Sequence, residues 1–253
     1  MSVKHRALRA TNKLTTAWPG RKLPTYFSGE LLWLDRQCWN SVYSRYEPHM
    51  AQAIRRYLPR GGVFWDVGAN IGQLSLFASK IVGPEGFVIA FEPSPDVLAV
   101  LHRNTDDYSN ITVRHFGIGA FDGEAQFSAQ GLSSASSFVA DVTAINRSFL
   151  PKEPITQVPA QMRRLDTILE SHPAPTLIKI DIEGFELEAL KGADRVLGLA
   201  KPSLLIEIHP RQMALSGGSE AALFEKLGQH GYSWTVIDRN PNSLYSILAA
   251  RVR

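Results

Sequence analysis

The chain has 253 residues, 44% hydrophobic and 20% charged, with a formal net charge of +3. That balance excludes a globally disordered chain and fits one α/β domain with an appendage. A single cysteine, Cys38, excludes an intrachain disulfide and a cysteine-based zinc cage and fits a reducing, cytoplasmic setting, while no apolar run approaches the roughly 18 residues of a membrane span.

Residues 1–22 carry Lys4, Arg6, Arg9, Lys13, Arg21 and Lys22 and no acid, and without them the chain is net negative. The basicity therefore belongs to a flexible leader and not to a binding face, which argues against a nucleic-acid partner. An organellar transit peptide is the alternative, against which the poor helical apolar pattern of the leader counts. Residues 23–60 read as an aromatic-rich cap, with Tyr26, Phe27, Trp33, Trp39, Tyr43 and Tyr46, followed by a helix that Pro48 opens through Ala51, Ile54 and Leu58.

From residue 61 to 253 the pattern predicts one domain of alternating strands and helices. Val63 to Val67 is a buried strand, and Leu74, Phe77, Ala78 and Ile81 mark one face of a helix. Phe87 to Phe91 is a second strand ending at Glu92, after which Ser94 caps a helix with Pro95 at its first position. Ile111 to Phe116 is the third strand. The alternation breaks over 120–160, where Asp122-Gly123 signals a hairpin between Ala120-Phe121 and Gln126-Phe127, followed by serines from Ser133 to Ser137 and by Pro151, Pro154 and Pro159. Residues 131–160 of this insertion and residues 23–50 are expected to close over a bound substrate. Regular elements resume with a strand from Leu177 to Ile182, a helix from Phe185 to about Leu197, a strand from Leu204 to Ile208 and a capped helix from Ser219 to Leu227. Trp234 to Ile237 and Leu244 to Ala249, joined by a tight turn, read as an antiparallel pair.

Such alternation predicts a doubly wound, mostly parallel sheet, with the ligand beyond the carboxyl ends of its strands. The first of those ends reads Asp66-Val67-Gly68-Ala69-Asn70-Ile71-Gly72, a glycine turn leading into a helix N-terminus, whose amides suit a carboxylate or phosphate. Glu92, at the end of the next strand, stands where an acid accepts from the two hydroxyls of an adenosine ribose. A pyrophosphate would be repelled by Asp66. The amino-acid end of S-adenosylmethionine offers instead an ammonium for Asp66 and a carboxylate for Asn70 and the helix amides.

The stretches VGANIGQLS (Val67 to Ser75), FEPSP (Phe91 to Pro95) and IKIDIEGFE (Ile178 to Glu186) resemble the signatures of the FkbM-type methyltransferases. The resemblance runs from about Tyr46 to about Pro210. It implies a Rossmann-like class I methyltransferase fold with a seven-stranded sheet whose last strand is antiparallel, S-adenosylmethionine as cofactor, and methylation of a hydroxyl on a sugar, glycan or polyketide-type metabolite. Tyr46-Glu47-Pro48 resembles the family's lead-in to the first strand and Ser133 to Ser137 its serine patch, while Gln73 departs from a common aromatic. Glu47, Asp66, Gly68, Asn70, Gly72, Glu92 and Ile118 are the residues assigned to the cofactor.

Lys179, Asp181 and Glu183, spaced by two, share one face of a strand, and Glu207 and His209 repeat the spacing on the next. One reading makes Lys179 and Asp181 an internal pair, with Glu183 serving the next helix N-terminus. The other brings Asp181, Glu183, Glu207 and His209 to one mouth, either as an acid/base set or as an oxygen-rich magnesium site of Asp181, Glu183 and Glu207. His209 is the expected base for an acceptor hydroxyl, with Glu183 the second candidate and the metal-free route favoured. Lys179 and Asp181 complete the catalytic set. Two competing functions remain, a catalytically idle nucleoside-binding or RNA-associated protein and a nicotinamide oxidoreductase, the latter disfavoured by the Asp66 turn. Oligomeric state is not legible in the sequence.

Overall fold

The computed structural model describes residues 21–38, 48–131, 136–139, 155–239 and 244–251. Leader residues 1–20, Glu47, the aromatics Trp39, Tyr43 and Tyr46, and most of the expected lid lie outside them. Among the described residues no helix is long and apolar enough to cross a membrane.

The described chain opens with an antiparallel hairpin of β1 (Lys22–Phe27) and β2 (Glu30–Asp35). Ser28 and Gly29 join them, both at positive φ, as the twist of a two-residue hairpin turn demands. Phe27, Leu32 and Leu34 point inward, whereas Tyr26, Leu31 and Trp33 face solvent. Apolar residues on both faces erase the period-two pattern that would have announced these strands. Behind the hairpin lie α1 (Pro48–Tyr57), α2 (Gln73–Val82) and α3 (Pro95–Thr105). Phe27 meets Phe77 edge-on at 5.5 Å, and buried Asp35 accepts from Arg103 at 2.6 Å.

The main sheet contains β3 (Val63–Val67), β4 (Phe87–Phe91), β5 (Ile111–Arg114), β9 (Leu177–Ile180), β10 (Ser203–Ile208), β11 (Tyr232–Arg239) and β12 (Tyr245–Arg251). Its order is β11-β12-β10-β9-β3-β4-β5, with only β12 antiparallel to its neighbours. This is the expected seven-stranded class I methyltransferase sheet. The order reverses between β3 and β9, so the crevice above their carboxyl ends is the place for a ligand. Alternate strand residues enter opposite layers. Trp65, Ile89, Ile178 and Ile206 pack with Leu190, Leu223 and Leu227, whereas Phe64, Val88, Leu177 and Leu205 pack with Ile54, Leu76 and the hairpin.

Several elements differ from the sequence reading. Asp122-Gly123 does not fold 126–127 back onto 120–121. Instead β7 (Gly123–Ala129) pairs antiparallel with β8 (Thr156–Arg163), and β6 (Gly117–Ile118) joins β8 in parallel. The Asp122 carboxylate is spent on the Arg164 amide at 2.9 Å and the Thr167 hydroxyl at 2.8 Å, at the start of α4 (Leu165–Leu169). The helix expected through Leu197 stops as α5 (Glu186–Lys191), with Gly192 at its C-cap packed so closely that a Cβ would lie 2.1 Å from the Gly119 carbonyl. A π-type turn, Val196–Ala200, follows. A six-residue helix, α6 (Pro210–Leu215), too short to leave a periodic signal, precedes α7 (Glu220–Gln229), whose N-cap Ser219 accepts from the Ala222 amide. Ser94 sits at the N-cap of α3, but its hydroxyl makes no capping bond.

Candidate active site at the carboxyl ends of the sheet

A pocket opens above the carboxyl ends of β3, β4 and β9. Gly68, Asn70, Glu92, Ile118, Asp181 and Glu183 line it, and the hairpin aromatics do not. The described part of the cap packs on α2 and α3 and does not line this pocket.

Glu92 is nearly buried at the end of β4, and backbone amides hold both of its oxygens. Oε1 accepts from the Ser94 amide and Oε2 from the Asn70 amide, each at 2.9 Å. Each oxygen keeps a second lone pair for a further donor. Burial pushes the Glu92 carboxyl up to about 7, against the lowering effect of the two amides and of Lys179.

The glycine turn does different work from that expected. Gly68 and Ala69 both donate to the Phe91 carbonyl, Asn70 donates to Glu92, Ile71 to the Asn70 side chain and Gly72 to Ala69. Those amides hold the turn against β4, so they do not stand ready for a ligand carboxylate. Gly68 has φ +79, and a Cβ there would lie 2.0 Å from the Asp181 carbonyl. Gly72 has φ +84 and abuts Leu101. Both glycines are required by neighbouring protein atoms.

Asp66 also departs from its expected part. It is fully buried, accepts from Ser75 at 2.6 Å and faces Lys179 at 3.5 Å, and it does not line the pocket. Asp66 and Lys179 are direct register partners on β3 and β9, and the Lys179 ammonium also donates to the Gly68 carbonyl at 2.7 Å. Lys179 thus ties the glycine turn to β9 instead of meeting a substrate. The acid that does line the pocket beside Gly68 is Asp181, 3.4 Å from Lys179.

β9 and β10 are adjacent, and the second cluster converges there. His209, 1% exposed at the N-cap of α6, places Nε2 3.5 Å from Glu183 and 3.8 Å from Asp181. Its Nδ1 lies 2.9 Å from Glu186, a residue the sequence reading missed. Burial alone would push the imidazole pKa down, but Glu183, Glu186 and Asp181 outweigh it and hold it well above its ordinary value. An imidazolium has no lone pair with which to take a proton or bind a cation. The expected metal set of Asp181, Glu183 and Glu207 is not the one that gathers, since Asp181, Glu207 and His209 bring their ligand atoms within 4.8 Å of one another.

The described end of the insertion, 136–139, also reaches the pocket. The Ser137 hydroxyl donates to the Glu183 carbonyl at 3.0 Å, and Phe138 stands between Phe127 and Phe185 at 4.9 and 5.6 Å. A Cβ on Gly117 would sit 2.1 Å from the Phe138 ring. Phe127 and Phe138 were not singled out in the sequence, since their partners lie far away along the chain.

Residues 66–234 match the Methyltransferase FkbM domain. The chain belongs to the FkbM methyltransferase family. Hexuronic acid methyltransferase AglP of Haloferax volcanii is 25% identical over 178 residues, which cover 68% of this chain and 66% of that relative. Methyltransferase 1 of Beauveria bassiana is 27% identical over 143 residues, covering 51% and 57%. The chain thus spans 57–66% of the length of these two relatives. The precorrin-6y C5,15-methyltransferase of Geobacter metallireducens shares the fold, with a TM-score of 0.50 at 18% identity over 83% of this chain and 89% of that one.

Proposed function

We propose that this FkbM-family chain is an S-adenosylmethionine-dependent O-methyltransferase acting on a hydroxyl of a sugar, glycan or polyketide-type metabolite. The observation that carries the reading is the pairing, within one pocket, of a doubly amide-held Glu92 with a group of acids centred on Asp181 and Glu183. The donor set fits the cofactor. Glu92 accepts from ribose hydroxyls, Ile118 and Phe91 offer apolar walls to an adenine, and Asp181 takes the part of ammonium partner first given to Asp66. Asp66 and Asp181 lie beside Lys179, and Asp181, Glu183 and Glu186 lie beside His209, so carboxylates cluster at this end of the pocket.

When bound, S-adenosylmethionine supplies a methyl group already activated by its sulfonium leaving group. The chain must then position the acceptor and accept one proton. Glu183 takes that proton, since it lines the pocket while His209 is buried behind it with its pKa pushed up by the surrounding carboxylates. A weak base suffices where the hydroxyl loses its proton as the new bond forms. His209 keeps its proton at Nε2 and balances the charge of Glu183 and Asp181. Phe138 and Ser137, beside Glu183, select the acceptor.

Incubation with methyl-labelled S-adenosylmethionine and oligosaccharides containing hexuronic acids tests the proposal, because a relative acts on such an acid. Label is expected in an O-methyl ether. Transfer to nitrogen or carbon would overturn the O-methyl assignment, and tighter binding of NAD than of S-adenosylmethionine would overturn the cofactor.

A further inference from the structure

Glu186 opens α5, lies outside the lining of the pocket and has no exposed surface. An acid that merely favours a helix N-terminus stays in water, because burying a carboxylate is costly unless it is paired. Here one oxygen, Oε1, accepts from two donors on different elements, His209 Nδ1 and the Gly184 amide, each at 2.9 Å. Its two partners both bear on Glu183. The imidazole, fixed at Nδ1, can present only Nε2 to Glu183 and Asp181. The Gly184 amide belongs to the left-handed turn, with φ +54 at Glu183 and +99 at Gly184, that carries the Glu183 side chain. A non-glycine residue at such a φ persists only when its surroundings hold it there. The turn is also gripped from α6, where Ser216 donates to the Gly184 carbonyl at 3.1 Å.

We propose that Glu186 is a positioning residue, which orients His209 so that its Nε2 proton bridges the Glu183 and Asp181 carboxylates at the pocket. This rests on the reading of Glu183 and Asp181 as the groups that meet acceptor and cofactor. Glu186 touches neither ligand and acts through the imidazole, in the way that a carboxylate behind a functional histidine fixes its ring and tautomer.

The discriminating substitution is Glu186→Gln, which keeps a carbonyl oxygen for the Gly184 amide while removing the charge that holds the imidazole. The first measurement needs no turnover. In protein labelled with 15N-histidine, the His209 Nδ1 proton, assigned by its loss in His209→Gln, should be shifted far downfield and slow to exchange, and Glu186→Gln should remove it. A wild-type protein without this proton overturns the proposal whether or not an acceptor is found. A wild-type protein that shows it yet transfers no methyl group to any acceptor overturns the proposed function instead. The second measurement is a double-mutant cycle on methyl transfer. Glu186→Gln should lower kcat about 10- to 100-fold, with acceptor KM and cofactor Kd within about twofold of wild type. In a His209→Gln background the same change should cost less than about twofold, because the element it acts through is already gone. A full loss in that background would overturn the proposal, since Glu186 would then act through the Gly184 turn alone.

Discussion

Glu92→Gln isolates the most tightly specified contact of the pocket. The carboxylate has two oxygens, each already accepting one backbone amide at 2.9 Å, from Ser94 and from Asn70. A glutamine has one oxygen to offer, and whichever way it turns, its NH2 faces one of those amides. One ribose hydroxyl then loses a charged acceptor, and one buried N–H loses its partner. A hydrogen bond to a charged group contributes about 1.5–3 kcal/mol, so cofactor affinity should fall roughly 10- to 150-fold. The orphaned amide should lower fold stability by about 1–3 kcal/mol, which urea denaturation without cofactor would read separately. The pH dependence supplies an independent check. Burial pushes Glu92 up to about 7, and only the ionised form accepts from both hydroxyls. Protonation as the pH falls therefore competes with the cofactor, and between pH 8 and pH 6 the affinity should drop by about tenfold. Glu92→Gln has no proton to lose at this site and should show a flat profile. Calorimetric titration of S-adenosylmethionine across that range measures both effects. A folded Glu92→Gln that binds within twofold of wild type, or a wild-type affinity indifferent to pH, would refute the assignment.

Three further outcomes follow from the same geometry. Gly68→Ala drives a Cβ to 2.0 Å from the Asp181 carbonyl at φ +79, so urea denaturation should show a loss of about 2–5 kcal/mol, and an unchanged midpoint would contradict the packing. Lys179→Met removes the cation shared by Asp66 and Asp181 and leaves Asp66 buried beside no counter-charge from β9, a loss of about 3–5 kcal/mol by the same measurement. Methyl transfer should persist in EDTA, because Glu183, which lines the pocket, can take the acceptor's proton without a cation. Activity that collapses in EDTA and returns with magnesium would show that Asp181, Glu207 and His209 act as a metal centre.

The sheet was legible because its central strands are short, mostly apolar runs buried on both faces and bounded by turn residues. Val63 to Val67, Phe87 to Phe91 and Leu204 to Ile208 carry that signal within five or six residues. The elements that were misread depend on distant partners. β7 is built by β8, which begins 27 residues after β7 ends, and the turn at Asp122-Gly123 carries a hairpin dipeptide that serves α4 instead. The first hairpin was hidden for a different reason, since Tyr26, Leu31 and Trp33 make its solvent face as apolar as its buried one.

At the site the same distinction decides which residues were given the right place. Glu92 could be read locally, because its position at a strand end and its amide partners, Asn70 and Ser94, all belong to two consecutive strand ends. Asp66 and Asp181 could not be told apart in that way. Both are acids at strand ends beside the glycine turn, and the ammonium of a cofactor would attract either. What separates them is the lateral register of β3 and β9, which sets Lys179 opposite Asp66 and seals that carboxylate inside the sheet, while Asp181 lies one step beyond the end of β9, at the pocket. The choice of proton acceptor turns on the same kind of fact. The ordinary pKa of a histidine suits a base, and nothing in the sequence says that Glu186, the first residue of α5, will be buried against His209. Once Glu186, Glu183 and Asp181 surround the ring, their charge keeps it protonated, so the proton-accepting part passes to the carboxylate it faces.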